Sequence, residues 1–278
     1  MIQSPPVDLP NDPDHEAYVR LAQSDSEIEE AQNLRYAVFY EEYGAQPSEE
    51  VKQQKRDFDD FDPITDHLIV LLKNKETKQE TIVGTYRLLR QSVAEEHGRF
   101  YSDDEYNLTH LINSDNNLLE LGRSCVIAEY RTKPILNLLW QGIADYISVH
   151  NIDILFGCAS FHGTDIETVD KQLSYLHHYH STPEGVRPIA LPEHYVDMNL
   201  CDKETLNEKR VFASLPPLIK GYLRLGATIG EGAVIDEQFN TIDVCIVVQT
   251  KLMTDRYRKY YERKIQKTIP GQQTKDTP

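Results

Sequence analysis

The sequence of 278 residues is short of basic residues. Lys and Arg together number 29, against 45 Asp and Glu, so the formal net charge at pH 7 is −16. Affinity for nucleic acid depends on Lys and Arg that displace counterions from phosphate groups, and we therefore expect no nucleic-acid partner. An acidic chain instead favours a cationic small molecule as a ligand.

Long apolar runs and paired cysteines are also missing. No apolar run approaches the roughly 18 residues that a membrane-spanning helix needs, and the N-terminus has no apolar signal-peptide core. Cys125, Cys158, Cys201 and Cys245 form no C-x-x-C pair, and three of them lie in apolar runs. Isolated cysteines of this kind are typical buried thiols of a reducing compartment. We predict a cytoplasmic protein, with peripheral contact at the inner membrane as an alternative.

The motifs of several large enzyme classes are absent as well. There is no G-x-G-x-x-G, G-x-x-x-x-G-K-[ST], H-E-x-x-H or G-x-S-x-G, which argues against simple dinucleotide, P-loop, zincin and α/β-hydrolase sites. His177 and His180 are three residues apart and could share a helical turn, but the sequence signals no third ligand nearby. We therefore predict no metal site.

The apolar pattern predicts one folded domain over residues 26–267. Residues 1–25 and 268–278 are expected to be loose ends because they are rich in polar residues and proline. Residues from about 162 to 210 have no clear periodicity and are expected to form an irregular insertion.

Within this domain, strand and helix patterns alternate. Ser24 or Ser26 begins an S-x-x-E capping box and so predicts a helix start. Two apolar runs, 67–73 and 81–90, predict an antiparallel hairpin. Further strands are predicted at 118–128, 152–161 and 239–249, and further helices at 134–149, 216–226 and 251–267. This order predicts an α/β sandwich with a mixed, mainly antiparallel sheet and one right-handed parallel crossover.

The most informative charges are Glu120 and Arg123, which interrupt an apolar strand. Charges in a central strand are costly unless they are paired or functional. Strict alternation would separate the two side chains, whereas a bulge at Gly122 would bring them to the same side. They are either a catalytic carboxylate with an anion-binding arginine or a structural ion pair.

Three other features have both a functional and a structural interpretation. Arg35 and Phe39 are four residues apart and share a helix face. Either both line a pocket, or Phe39 belongs to the core and Arg35 to the surface. The acidic run 57–66 is either solvated or a site for the ammonium of a substrate. Arg87 lies within an apolar strand, and either meets an anionic ligand or forms a salt bridge.

The segment 251–267 stands apart by its charge. Seven basic and two acidic residues give it a net charge of +5, which leaves −21 for the rest of the chain. A basic helix with an apolar side can lie on anionic lipid or dock an acidic protein. The alternative is a helix packed on its own sheet with a solvated basic face.

Several segments together resemble one known family. They keep the same order over roughly residues 26–262 and include RYAVFYEEYGA (35–45), IVGTYRLL (82–89), LELGRSCV (119–126) and PPLIKGYLRLGATIGEGAVID (216–236). In these blocks the chain resembles the ornithine–acyl carrier protein N-acyltransferases of the GNAT superfamily. The first half also resembles the acyl-homoserine-lactone synthases.

The resemblance implies a GNAT-like three-layer α/β sandwich and an N-acyltransferase. The reaction it implies moves a 3-hydroxyacyl chain from acyl carrier protein to the α-amine of ornithine or a similar amino acid, which makes a lyso-ornithine-type lipid. It implies no tightly bound cofactor, because the acyl-phosphopantetheine donor arrives with its carrier protein or with coenzyme A. Direct transfer needs no nucleophilic cysteine.

The resemblance and the chemical needs of acyl transfer together suggest residues for this reaction. Glu120 would accept the proton of the amine, and Arg123 would act beside it in the catalytic pair. Substrate-binding positions would be Arg35, Phe39, Asp59, Asp62 and Arg87. Donor-binding positions would be Ser124, Cys125, Val126, Arg131 and Lys133. The glycine-rich phosphate loop of many GNAT enzymes is missing around Arg131–Lys133, which favours a donor presented by a carrier protein.

Three alternatives stay open at this point. The protein could be an acyl-homoserine-lactone synthase, although its C-terminal block matches the ornithine branch. It could be an acyl-CoA-dependent N-acyltransferase of a small amine. A non-catalytic membrane-active protein is disfavoured, since the sequence has no secretion signal and no pore-forming segment.

Overall fold

The computed structural model describes residues 2–270, which contain ten strands and nine α-helices. The strands are β1 (Val7–Leu9), β2 (Asp12–Leu21), β3 (Asp66–Asn74), β4 (Glu80–Arg90), β5 (Tyr106–Asn107), β6 (Leu118–Val126), β7 (Ile154–His162), β8 (Ile189–Ala190), β9 (Thr228–Asp236) and β10 (Thr241–Gln249). The helices are α1 (Asp25–Tyr36), α2 (Glu49–Gln54), α3 (Gln91–His97), α4 (Thr109–Ile112), α5 (Lys133–His150), α6 (Asp170–His180), α7 (Glu208–Ser214), α8 (Pro217–Leu225) and α9 (Asp255–Ile265).

The strands form a mixed sheet in the order β1-β2-β3-β4-β6-β7-β10-β9-β8-β5. Among the described strands, neighbours are antiparallel except for β6 with β7 and β8 with β9. The predicted mainly antiparallel sheet is therefore confirmed. The crossover predicted in the middle of the chain is the β6–α5–β7 unit.

Helices cover both faces of this sheet. Along β3, Leu68 and Val70 pack in one core with residues of α5, whereas Ile69 and Leu71 pack in another with residues of α1. Because successive side chains of a strand point to opposite faces, α1 and α5 lie on opposite sides. Residues of α8 and α9 belong to the same core as α5, and this arrangement is the predicted three-layer sandwich.

The N-terminal residues are not loose, and the prediction for residues 1–25 was wrong. β2 pairs with β3 from His15–Asn74 to Leu21–Leu68, and β1 pairs with β2. Ala17 and Val19 are buried in the main core. The prolines and acidic residues before Ala17 hide a strand whose apolar part is only a few residues long.

Of the other predicted elements, some are confirmed and some are wrong. α1 begins as predicted, because Ser24 Oγ accepts a hydrogen bond from Glu27 N. The hairpin of β3 and β4 is confirmed. Residues 162–210 contain the regular helix α6, so the expectation of an irregular segment was wrong there. The basic segment is helical only from Asp255 to Ile265, and residues 271–278 of the expected tail lie outside the described residues.

The strands β6 and β7 separate after a short parallel pairing. Leu118–Glu120 pair with Ile154–Phe156, after which β6 follows β4 and β7 follows β10. Gly157 lies where they part, with φ at 149°, and a Cβ atom there would be 2.2 Å from the carbonyl oxygen of Leu121. Glycine is therefore required at this point.

No helix within residues 2–270 combines the length and apolar character needed to cross a membrane.

Candidate active site

A cavity of about 420 Å³ opens in the gap between β6 and β7. On the side of α5 and α8 its wall is mostly apolar, formed by Tyr86, Val126, Leu136, Leu139, Trp140 and Leu218. On the opposite side of the sheet its wall is polar and acidic, formed by Ser102, Glu105, Glu120, Asp236, Thr241 and Asp243. The cavity thus joins an apolar compartment to an acidic one across the sheet.

A buried network of charges lies beside the acidic compartment. Its members are Arg35, Arg87, Arg123, Asp57, Asp59 and Asp62. Three positive and three negative charges balance, which is the condition under which charged groups can be buried at tolerable cost.

Arg35 is the centre of this network and has no solvent exposure. Its Nε donates to Asp57 Oδ2 at 2.7 Å, and its Nη2 donates to Asp62 Oδ1 at 2.6 Å. Burial alone would raise the pKa of Asp57, but Arg123, Arg35 and Arg87 lower it to about 2. The Asp57 carboxylate therefore stays charged at any physiological pH.

Asp59 and Asp62 were assigned above to substrate binding, but in the structure both pair with Arg87. Arg87 Nη1 donates to Asp59 Oδ1 at 2.5 Å and to Asp62 Oδ2 at 3.3 Å. Within residues 2–270, the wall of the cavity does not include Asp59, Asp62, Arg87 or Arg35. Phe39, in contrast, lines the cavity, so the predicted pocket pair Arg35–Phe39 is divided between network and cavity.

Arg123 connects the network to the cavity. Its Nε and Nη2 contact Asp57 and Asp59 at 3.1 and 3.3 Å, and its Nη1 donates to the hydroxyl of Tyr101 at 3.0 Å. The guanidinium lies over the Phe239 ring, 4.6 Å from its centroid. Since a guanidinium has five N–H groups, two of them remain for a ligand.

The backbone at Arg123 is unusual. The register of β4 and β6 shifts between the pairs Thr85–Cys125 and Arg87–Gly122, which confirms the bulge predicted beside Gly122. Arg123 takes φ at 49°, in the left-handed region. For a residue other than glycine this conformation costs about 1–3 kcal/mol, which the ion pairs of its side chain offset.

Glu120 also faces the cavity, but its oxygens are largely occupied. Oε2 accepts a hydrogen bond from Tyr101 N at 2.8 Å, and Oε1 accepts from Ser102 N and Ser102 Oγ at 2.7 and 2.5 Å. Burial raises the pKa of Glu120 against these hydrogen bonds. The side chain fixes the turn that contains Tyr101, and through it the position of Arg123.

A second acidic group lies within the cavity. Oxygens of Glu105 and Asp243 and Sγ of Cys158 all lie within 4.8 Å of one another. Burial and the charge of Asp243 raise the pKa of Glu105 to about 7, and burial raises the pKa of Asp243 to about 6. Both carboxyl groups therefore titrate in the physiological range.

Among the described residues, the set of three whose ligand atoms are close enough together to hold a metal ion is Glu105, Cys158 and Asp243. In the metal-free site, burial and Glu105 raise the pKa of the Cys158 thiol well above its ordinary value, so this thiol is protonated. Metal ligation needs the thiolate. The same surroundings suit a protonated amine, which two carboxylates attract.

Most, but not all, of the residues predicted to bind the acyl donor line the cavity. Ser124, Cys125 and Val126 line the cavity, and burial raises the pKa of the Cys125 thiol, which therefore remains protonated. Arg131 also lines it, but its Nη1 and Nη2 contact the Glu42 carboxylate at 2.5 and 2.6 Å. Lys133 is exposed at the start of α5.

Sequence reasoning missed several residues of the cavity. Asp243 carried a usable signal, because it is a charge within the apolar strand of residues 239–249, as Glu120 is in its own strand. Glu105 and Tyr101 lie in a polar stretch without periodicity, and nothing there indicates burial. Phe239 reaches the cavity only because β10 lies beside β7.

Comparison with known proteins identifies the family. Residues 34–141 match the Acetyltransferase (GNAT) domain. The chain is 45% identical over 249 residues to the L-ornithine N(alpha)-acyltransferase of Rhodobacter capsulatus, covering 89% of this chain and 95% of that protein. It is 49% identical over 245 residues to the protein of the same name from Rhizobium meliloti, covering 87% and 83%.

Among solved structures, an N-acyl amino acid synthase from uncultured soil microbes has a TM-score of 0.47 and 12% identity, covering 84% of this chain and 91% of that one. This likeness is too distant to add to the assignment. The two relatives above are 45% and 49% identical and cover 89% and 87% of this chain. The chain belongs to the L-ornithine N(alpha)-acyltransferase family and is an N-acyltransferase.

Proposed function

We propose that this protein transfers a 3-hydroxyacyl chain from the thioester of acyl carrier protein to the α-amine of L-ornithine. The product is a lyso-ornithine-type lipid. The name of the relatives supports ornithine as the acceptor. The observation that carries the proposal is the divided cavity, whose apolar wall suits an acyl chain and whose acidic wall suits a cationic amino acid.

In this proposal the reacting carbonyl lies in the gap between β6 and β7. Beyond Glu120, β6 has no pairing with β7 among the described residues, so those backbone N–H groups of residues 122–126 that point away from β4 are available on that edge. Backbone donors of this kind stabilise the oxyanion that forms when an amine attacks a thioester. Ser124, Cys125 and Val126 contribute backbone here, and no thiol acts as a nucleophile.

Arg123 is proposed to bind the carboxylate of the amino acid. Its two unengaged N–H groups can form a charge-assisted contact with a carboxylate, and Tyr101 and the aspartates hold the guanidinium plane in place. Glu120 acts as a positioning residue, because it holds the backbone of Tyr101 and Ser102.

A carrier protein is proposed as the donor because the loop between β6 and α5 suits free coenzyme A poorly. Residues 127–133 contain no glycine, and Arg131 is engaged by Glu42. A basic face for an acidic carrier protein is present on α9, where Arg256, Lys259 and Arg263 are exposed. The same face could rest on anionic lipid.

Charge reversal on α9 tests this partner. In the triple variant Arg256→Glu, Lys259→Glu, Arg263→Glu, we expect KM for acyl carrier protein to rise roughly tenfold, because complementary charge speeds encounter. Turnover of a small acyl thioester should be unchanged. Steady-state kinetics with both donors measures this difference.

Arg258 is left unchanged in that variant because it is structural. Its guanidinium donates to the carbonyl oxygens of Thr250, Ile269 and Pro270. The matched control is Lys52→Glu in α2 with Lys55→Glu just after it, because both lysines are exposed and lie outside the cavity wall. If KM for the carrier protein is unchanged while binding to anionic vesicles is lost, α9 is a membrane surface and not a carrier site.

The apolar compartment predicts a dependence on acyl-chain length. Gly221 of α8 lines it, and a Cβ atom there would lie 4.0 Å from Cζ2 of Trp140. We expect Gly221→Leu to lower kcat/KM for long-chain donors roughly tenfold, the effect of filling a hydrophobic pocket. Activity with a two-carbon donor should persist, and the control Gly221→Ala should act like the wild type. Equal losses for both donors would contradict this location of the chain.

The proposed function as a whole is tested with the purified protein and two donors. A 3-hydroxyacyl carrier protein and the matching acyl-CoA are each supplied with L-ornithine, and products are followed by mass spectrometry. We expect acyl-ornithine from the carrier protein at a much higher kcat/KM than from acyl-CoA. Equal or better use of acyl-CoA would contradict the donor, and absence of acyl-ornithine with both would contradict the acceptor.

A further inference from the structure

The carboxyl groups of Glu105 and Asp243 converge on one point of the cavity wall. Their oxygens lie within 4.8 Å of one another, and both residues line the cavity. Two oxygens that each accept a hydrogen bond of normal length from one tetrahedral ammonium nitrogen are roughly 4.6 Å apart. A separation of no more than 4.8 Å leaves both carboxyl groups within reach of one ammonium group placed between them.

Asp243 adds a second, independent sign of a missing ligand. The residue is only 6% exposed, and its Oδ1 has no hydrogen-bond partner within residues 2–270. Buried carboxylate oxygens are nearly always satisfied, since an unpaired one is costly. This oxygen is itself buried, so a small rotation of the Asp243 carboxyl group would bring it to a donor that enters the cavity with the substrate.

Cys158 orients the carboxyl group of Glu105, but its weak S–H donor cannot take the place of an ammonium group. Cys158 Sγ donates to Glu105 Oε2 at 3.1 Å, which is a weak hydrogen bond that orients the carboxyl group. Glu120, by comparison, accepts three hydrogen bonds from backbone and hydroxyl groups. Of these two cavity glutamates, Glu105 has the larger capacity to accept a further proton.

We propose that Glu105 and Asp243 together bind the attacking amino group of the acceptor as its ammonium form, and that Glu105 accepts its proton. This inference rests on the proposed function for the identity of the amine. It assigns both positions to the reaction, and it moves the base from Glu120 to Glu105.

The proton balance of the step is simple. The ammonium gives one proton to the Glu105 carboxylate, and the nitrogen lone pair then attacks the thioester carbon. When the tetrahedral intermediate collapses, the C–S bond breaks, the amide forms and the nitrogen loses a second proton. One of the two protons ends on the departing thiol, and the other leaves to solvent.

The ionisation of the pair is matched to this task. With a pKa of about 7, Glu105 is a stronger base than an ordinary glutamate at neutral pH, yet is still substantially ionised. The titratable and charged groups that face the pair are Asp236, Cys158, Cys245, Tyr106 and Arg123. The pKa of about 7 describes the empty cavity. A bound cationic acceptor lowers this pKa, so a protonated Glu105 loses its proton as the acceptor binds and is then free to take the proton of the ammonium.

The test compares Glu105→Gln, Asp243→Asn and the wild type in pH profiles of kcat/KM for ornithine. We expect a wild-type profile that rises with pH through about 6–7. Glu105→Gln should lower kcat/KM by about 10²–10³-fold and remove this rise, which is the range for loss of a general base. Asp243→Asn should lower kcat/KM and shift the rise to lower pH, because its charge no longer raises the pKa of Glu105.

Controls separate this role from a structural one. Asp104→Asn removes the neighbouring carboxylate of the same turn, which is exposed and paired with Arg99, and should keep the wild-type rate and profile. Both amide variants resemble the protonated forms of their residues, and their melting temperatures should confirm folding. Calorimetric titration of L-ornithine without donor should show weaker binding to Asp243→Asn.

Three results would overturn the inference. One is a Glu105→Gln variant that keeps the wild-type pH profile. Another is an Asp243→Asn profile without a shift. The third is stoichiometric zinc in the purified protein whose removal abolishes activity, because the pair would then be a metal ligand. If the wild type acylates a different amine, the proposed acceptor fails, and the same profiles with that amine still test the pair.

Discussion

Replacement of Arg35 by methionine is expected to lower the free energy of unfolding by about 3–5 kcal/mol, the typical effect of removing one partner of a buried ion pair. Arg35 is fully buried, and Asp57 and Asp62 depend on its guanidinium. Methionine fills a similar volume, so the loss comes from uncompensated charge and not from a void. Urea denaturation followed by circular dichroism measures the change.

The matched control is Arg56→Met, in the loop after α2 and next to Asp57. Arg56 pairs with the exposed Glu29 at 2.8 Å, and exposed pairs contribute at most about 1 kcal/mol. If both variants lose the same small amount, the network around Arg35 does not support the fold in the way that we describe.

The network also predicts how stability depends on acid. The pKa of Asp57 is lowered to about 2 in the folded protein, from about 3.9 in an unfolded chain. Asp57 therefore contributes stability above about pH 4, and this contribution is lost as the pH falls toward 2. In Arg35→Met the dependence on pH over this range should be smaller, because one of the three arginines that lower the pKa is gone.

Replacement of Arg123 by lysine is expected to raise KM for ornithine by about 100-fold. The cause is the loss of a planar, fixed guanidinium that can present two N–H groups to a carboxylate while its other N–H groups hold Asp57, Asp59 and Tyr101. Such a factor corresponds to about 2.8 kcal/mol. Steady-state kinetics with ornithine and with 1,4-diaminobutane, which lacks the carboxylate, measures the effect.

The comparison of the two amines gives this prediction its control. The wild type should prefer ornithine strongly, whereas Arg123→Lys should lose most of this preference and keep its low activity with the diamine. Arg90→Lys, at the end of β4 and away from the cavity, should behave like the wild type. An unchanged preference in Arg123→Lys would mean that another group binds the carboxylate.

The general architecture could be predicted because it depends on local signals. The hairpin of β3 and β4 and the helix after Ser24 follow from apolar periodicity and capping. The bulge beside Gly122 could be expected from two charges that needed to share one side of β6. The GNAT fold itself came from resemblance, since the periodicity alone indicated only a mixed α/β sandwich.

The details of the site could not be predicted, because they depend on contacts between distant segments. Asp59 lies next to an exposed aspartate in the chain, and nothing local shows that Arg87 and Arg123 neutralise it. Glu105 and Asp243 are 138 positions apart and meet only because the short strand β5 and the strand β10 are held near the same cavity. β2 was missed because its polar residues outnumber the apolar ones that face the core.

Acylation of the α-amine of ornithine can be checked by locating the acyl group in the product. The purified protein is supplied with a 3-hydroxyacyl carrier protein and an equimolar mixture of ornithine, lysine, glutamine and glycine, and the products are fragmented by tandem mass spectrometry. We expect ornithine acylated on its α-nitrogen as the main product. Acylation of the side-chain nitrogen, or preferential acylation of glutamine or glycine, would contradict it.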